Sequence, residues 1–146
     1  MDRILLLAIL ILLPAAAQAE EKREFNMSDY LQGRYVYERQ CVTCHGRAGR
    51  GDGPWAEGLL DQPRNFRLGV FKFRTTPIGF LPTDDDLRRT IRSGVSGTAM
   101  PAFKKLSDRD VNALIVYIQG LSRRWDNNDH YTDPIEIPDP PKWMHR

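Results

Sequence analysis

Three residues of the stretch RQCVTCHG can do chemistry together: Cys41, Cys44 and His45. Two thiols separated by two residues suit a redox pair, half of a metal site, or the two anchors of a covalently held haem. A disulfide between them closes so small a loop that it constrains little of the unfolded chain. A thioredoxin-like pair needs a βαβ frame, with the motif where a strand gives way to a helix, whereas the preceding SDYLQGRYVYERQC reads as a helix running into the motif. Tetrahedral zinc needs two further ligands at suitable spacing, and the other histidines, His130 and His145, lie far away in a proline-rich stretch. C-x-x-C-H as a c-type haem attachment site is the reading that remains. In that reading each thiol can add across one vinyl group of the porphyrin, and the imidazole of His45 would be the proximal axial ligand.

A sixth iron ligand is then needed, or an open position. A methionine thioether often fills that place and favours ferrous iron. Met27 precedes the predicted first helix and Met144 is two residues from the end, but Met100 sits in SGTAMPAF. Pro101 biases Met100 away from helical backbone, and Gly94, Gly97 and Thr98 mark a loop able to lie along a haem face. Met100 as a flexible core filler is the alternative.

The elements that must position these residues read as helices. Thr83 is a candidate N-cap, Asp84, Asp85 and Asp86 suit the positive end of the following helix, Arg88, Arg89 and Arg92 suit its far end, and Gly94 can stop it. This predicts a helix over 84–93, its acids acting as dipole partners rather than a metal or catalytic carboxylate site. Ser107 caps a last helix, with Asp110 three residues on, and Val111, Leu114, Ile115 and Ile118 recur at helical spacing. Sustained period-two alternation is lacking, so the expected fold is all-α, with long loops packed around a haem.

The loop GRAGRGDGPWAEGLLDQPRNFRLGVFKFRTTP lacks the Gly-Lys-Ser/Thr ending of a phosphate-binding loop, and Asp52 alone is a weak lure for calcium. Wrapping a haem edge is the better reading. Trp55, Phe66, Phe71 and Phe73 then supply apolar wall, and Arg64, Arg67, Lys72 and Arg74 are candidates for the propionates, Lys72 and Arg74 foremost.

Composition bounds the rest. The opening MDRILLLAILILLPAAAQA has the charged, apolar and A-x-A order of a secretory signal peptide, residues 1–19. Its apolar run is too short to span a bilayer, which takes about 20 residues, and no cysteine follows it as in a lipoprotein. Lys and Arg total 21 against 19 Asp and Glu, interleaved throughout, which excludes a nucleic-acid footprint. The expectation is a periplasmic protein with no transmembrane segment in the mature chain, one domain over 20–121 and an extended proline-rich tail over 122–146, which Trp125 and Trp143 can anchor.

From about Ser28 to Leu121 the chain resembles a single-haem class I c-type cytochrome. The family's first helix carries a glycine, an aromatic residue four on and the first haem cysteine four further, as in Gly33, Tyr37 and Cys41. Its last helix crosses the first, with an aromatic residue near that glycine; Tyr117 or Val116 is placed for this. Gly53-Pro54 matches the family's Gly-Pro, which implies a Pro54 backbone carbonyl on the His45 imidazole, and Met100-Pro101 matches its methionine loop. The resemblance implies three to five helices, one covalently bound haem c, axial His45 and Met100, and single-electron transfer between respiratory redox partner proteins, without enzymatic activity. Two alternatives stay open. One is a haem subunit docked in a larger, membrane-associated oxidoreductase through the tail. The other is a haem enzyme or sensor, if Met100 does not bind iron; His130, Met144 and His145 are rival ligands.

Overall fold

The structure is a computed structural model describing residues 26–136. Its described residues form four α-helices joined by long loops and short 3-10 turns, with no β-strand. This is the all-α fold expected. The signal-peptide reading, Trp143, Met144 and His145 fall outside the described residues.

Helix α1 spans Met27–Gln40, and Met27 is its first residue rather than part of a preceding loop. The Asn26 side chain caps it by accepting from the backbone N–H of Ser28 and Asp29, satisfying donors that the helix itself cannot. A short helix α2, Val42–His45, follows after the single residue Cys41 and carries the motif. Helix α3 spans Asp84–Ser93, with Thr83 and Asp86 forming a reciprocal capping box. Helix α4 spans Asp108–Gln119, capped by Ser107, which accepts from the Asp110 N–H.

The core forms where α4 crosses α1. Val111, Leu114, Ile115 and Ile118 are all buried, as their spacing predicted, and burying each such side chain contributes about 1.5–3 kcal/mol. Gly33 lets the two backbones meet. A Cβ built there would lie 1.9 Å from the Ala113 carbonyl oxygen and 2.8 Å from the Tyr117 Cβ. Tyr117 is the aromatic residue at this crossing, its ring centroid 5.2 Å from that of Tyr30 and 5.0 Å from that of Tyr37, within the range of favourable tilted ring pairs.

Helix α3 is tied to the preceding loop through Asp86. Its buried carboxylate accepts from the N–H groups of Thr75 and Thr83 and from the Thr75 hydroxyl, and it pairs with Arg89. Burial opposes ionisation there, but these hydrogen bonds outweigh it and hold the carboxyl below its ordinary range. Asp86 is thus a cap and a staple, while Asp85 pairs with Arg88 and Asp84 accepts from the Gln119 side chain.

Residues 122–136 differ from a plain extended tail. Arg123–Asp126 and Asn128–His130 form 3-10 turns, started by the Ser122 and Asn127 side chains, which accept from backbone N–H groups two residues ahead. Trp125 is buried in the core cluster, the Leu81 N–H donates to the His130 carbonyl, and the Ile135 N–H donates to that of Thr75. The Arg124 guanidinium donates to the carbonyls of Gly69 and Gly79. Only 131–136 of the described tail runs without turns.

Candidate functional site

Helix α2 has a single turn and cannot hold itself together. What holds it is the glycine-rich loop after it. All four of its carbonyls, orphans in any helix end, receive backbone N–H groups from this loop. Gly46 donates to Val42 at 2.9 Å, Trp55 to Thr43 at 2.9 Å, Gly53 to Cys44 at 3.0 Å and Gly51 to His45 at 2.9 Å. Gly53 must be glycine for this approach, because a Cβ there would lie 2.3 Å from the Thr43 carbonyl oxygen. Tyr37, fully buried on α1, adds a hydrogen bond from its hydroxyl to the Gly46 carbonyl at 2.8 Å. GRAGRGDGPW is therefore a clamp on the motif turn.

On that turn the structure brings Cys41, Cys44 and His45 together, both thiols half-buried and the imidazole buried. Burial, with a smaller contribution from Cys44 beside it, pushes the Cys41 thiol up to about 12. The Nδ1 of His45 lies 3.0 Å from the Arg64 carbonyl oxygen. A carbonyl only accepts, so Nδ1 carries the proton and the neutral ring presents its lone pair at Nε2. Burial also lowers the affinity of the ring for a second proton, though the Arg64 contact opposes this. The Phe66 ring stacks on the imidazole, centroids 4.4 Å apart and planes 17° from parallel.

The expected carbonyl partner of His45 needs correction: it is that of Arg64, and not that of Pro54. The reason lies in the clamp. The Gly53-Pro54-Trp55 segment faces the end of α2 with its N–H groups, as a donor of hydrogen bonds, while the chain that returns beside the imidazole is 63–66. A Cβ on Gly51 would lie 2.3 Å from the Pro63 carbonyl oxygen, and the Phe66 N–H donates to the Gly49 carbonyl at 2.7 Å. The Arg64 contact is made by backbone and leaves no side-chain signature in the sequence.

Met100 is half-buried in a tight turn beyond α3. Its N–H donates to the Thr98 hydroxyl at 3.2 Å and its carbonyl accepts from the Val95 N–H at 3.2 Å. Gly94 has φ +65°, and a Cβ on it would lie 2.7 Å from the Met100 carbonyl oxygen. These contacts fix the methionine backbone beside the end of α3, on an element separate from α2.

The other candidates divide. Arg74 is half-buried and donates to the carbonyls of Phe71 and Pro77, using two of its five N–H donors. Lys72 is exposed, with its ammonium 5.8 Å from the Phe73 ring centroid. Phe66 and Phe71 are buried, whereas Trp55 and Phe73 are exposed. The Nδ1 of His130 lies 3.3 Å from an Arg124 guanidinium nitrogen.

The donor set fits a haem c. Two partly accessible thiols and an imidazole with a free Nε2 share one turn, and a thioether is held on another element. The sequence model of the family described as cytochrome c oxidase, cbb3-type, subunit III matches residues 28–118. The chain belongs to that family. It is a c-type cytochrome domain, and haem-based electron transfer is the chemistry of such domains. A chain of the solved reducing HAO-like protein complex of Kuenenia stuttgartiensis is similar, with a TM-score of 0.65 and 38% identity over 74% of this chain and 47% of that one. The cytochrome domain thus spans about half of that neighbour. No curated protein matches the chain in sequence.

Proposed function

We propose that this c-type cytochrome is an exported electron carrier binding one haem c, with Cys41 and Cys44 as thioether anchors and His45 and Met100 as axial ligands. The observation that carries the reading is the hydrogen bond from His45 Nδ1 to the Arg64 carbonyl. It fixes tautomer and ring orientation and leaves Nε2 as a basic ligand, the usual arrangement behind a metal-binding histidine. Haem c held there supplies a one-electron iron couple. Cys41 and Cys44 would hold the haem through thioethers, each thiol adding across a vinyl group with sulfur on one carbon and hydrogen on the other and no leaving group. Held by His45 on one side and Met100 on the other, the iron would have no position left for a substrate, and the protein would act as a carrier and not as a catalyst. Arg74, already oriented by two backbone carbonyls, and Lys72 are the proposed propionate partners.

The carrier would exchange electrons with respiratory redox partner proteins in the periplasm. A second reading, a haem subunit docked permanently in an oxidoreductase, is favoured by the family description as an oxidase subunit and by the neighbour being part of a complex. A partner that co-purifies stoichiometrically selects the second reading; a protein isolated alone selects the first.

The axial pair is tested by the absorption spectra of the oxidised and reduced protein, matured in a host that attaches haem c, beside Met100→Ala. A c-type spectrum is expected in the reduced protein, and in the oxidised protein a weak far-red sulfur-to-iron charge-transfer band that vanishes in the variant. A haem spectrum without that band would sink the Met100 assignment and move the protein toward ligand-binding or catalytic haem chemistry.

A further inference from the structure

One short stretch of chain holds the imidazole of His45 in two ways. The Arg64 carbonyl accepts from Nδ1 at 3.0 Å, and the Phe66 ring lies nearly flat on the imidazole, centroids 4.4 Å apart and planes 17° from parallel. The hydrogen bond restrains one edge of the ring. A bond of this kind stays strong over about 30° of misalignment, and the torsion that turns an imidazole about its Cβ–Cγ bond is broad rather than confined to sharp wells. The tilt of the ring about that bond therefore needs a second restraint. A flat surface against the ring face supplies one.

Phe66 is itself kept still. It is buried, its ring stacks with that of Phe71 at 6.1 Å and 18°, and it meets the Tyr37 ring edge-on at 6.4 Å, all within the range of favourable ring pairs. Its N–H donates to the Gly49 carbonyl at 2.7 Å, which ties it to the clamp on α2. The Asn65 side chain accepts from the Arg67 N–H at 3.0 Å and so starts the 3-10 turn Phe66–Leu68. Where Gly49 passes the ring, a Cβ would lie 3.4 Å from Phe66 Cδ2, so the loop that holds the motif also backs the ring. An apolar wall needs only bulk. A ring parallel to the imidazole and fixed by its own neighbours restrains an angle.

We propose that Phe66 is a positioning residue for the proposed iron ligand: together with the Arg64 carbonyl, its ring sets the angle at which the His45 imidazole stands when Nε2 binds haem iron. This rests on the haem c reading above and adds to it a residue that neither binds the iron nor anchors the cofactor. In low-spin ferric haem, the plane of an axial imidazole governs how unpaired spin spreads over the porphyrin, so the haem-methyl resonances report that plane. The test is proton magnetic resonance on the full-length, haem-loaded protein. In the ferrous state, diamagnetic with both axial positions filled, the ring protons of His45 and Phe66 are expected to cross-relax, and no variant has to fold for this measurement. In the ferric state, Phe66→Leu keeps an apolar side chain but removes the flat face, and the haem-methyl resonances should draw together as the imidazole swings over a wider range. Phe66→Tyr keeps the face and should retain the wild-type spread, even where its hydroxyl costs stability. Wild-type protein with attached haem but no cross-relaxation between the two rings overturns the inference and leaves the parent reading standing. So does a wild-type methyl pattern in Phe66→Leu, or the same change of pattern in both variants. Protein that matures without haem overturns both.

Discussion

Gly33→Ala should destabilise the protein, although helix propensity alone predicts the opposite. Alanine is favoured over glycine inside a helix by about 1 kcal/mol. Against this stands the crossing with α4, where the new methyl would lie 1.9 Å from the Ala113 carbonyl oxygen and 2.5 Å from its carbonyl carbon. Neither is a side-chain tip that can rotate away, so relief requires the helices to part. Parting loosens the packing of Tyr30 and Tyr37 on Tyr117. Overpacking typically costs about 1–3 kcal/mol, and clashes with backbone belong at the top of that range. The net loss is then about 2 kcal/mol, which for a domain of this size lowers Tm by roughly 8 °C. Thermal unfolding of the haem-loaded protein followed by circular dichroism measures it. Arg34→Ala is the control, since it removes only an exposed pair with Glu38 and should stay within about 0.5 kcal/mol of wild type. A Gly33→Ala protein melting at or above the wild-type temperature would refute the close-crossing argument.

Other consequences can be measured directly. Asp86→Asn should cost about 2–3 kcal/mol at neutral pH, because Thr75 and Thr83 donate to one carboxylate oxygen and Arg89 to the other, so an amide that keeps its oxygen on the threonines turns its NH2 toward the Arg89 guanidinium and loses the charge that all these donors favour. The folded-state pKa of Asp86 is depressed, so its contribution is fully present above the unfolded value of about 3.9 and is lost as pH falls through the lower folded value. Melting curves should therefore show the gap between wild type and variant closing below about pH 4; a gap independent of pH contradicts the staple. Tyr37→Phe leaves the buried Gly46 carbonyl one donor short and should lower stability by about 1–2 kcal/mol, with chemical denaturation as the assay and an unchanged midpoint as the contrary result. Arg124→Ala removes the side chain that joins the tail to Gly69 and Gly79; amide exchange should accelerate over 122–136 and leave α1 and α4 protected, and uniform protection across the tail would show that other contacts suffice.

What the sequence revealed and what it hid follow one physical division. Local side-chain chemistry was legible. Thr83 and Ser107 announce helix starts because a hydroxyl beside orphan N–H groups has one obvious use, and the apolar positions of α4 repeat with the helix itself. The CVTCH turn was legible because its thiols and imidazole are adjacent in the chain. The clamp on that turn was not, because its bonds run from backbone N–H to backbone carbonyl, and only the glycines that permit the approach leave a trace. The same limit misplaced the carbonyl partner of His45. Gly53-Pro54 is a visible motif, whereas the Arg64 carbonyl would look the same under any side chain.

The tail shows the division at its sharpest. SRRWDNNDH is polar and lacks a helical period, so it reads as an extended tail with Trp125 as an anchor, whereas Ser122 and Asn127 each start a 3-10 turn that returns Trp125 to the core. Turns of this length are stable only against something. Here that is the loop 69–81, reached through Arg124, the Leu81 N–H and the Phe71 ring. The loop in turn carries Arg74 and leads through Thr75 to Asp86 on α3, so the chain between the motif and the methionine is braced from both sides by segments that are remote in sequence. A loop without helix or strand cannot draw its rigidity from a regular hydrogen-bond ladder. It takes that rigidity from single polar side chains, Asp86 from one side and Arg124 from the other, aimed at its backbone.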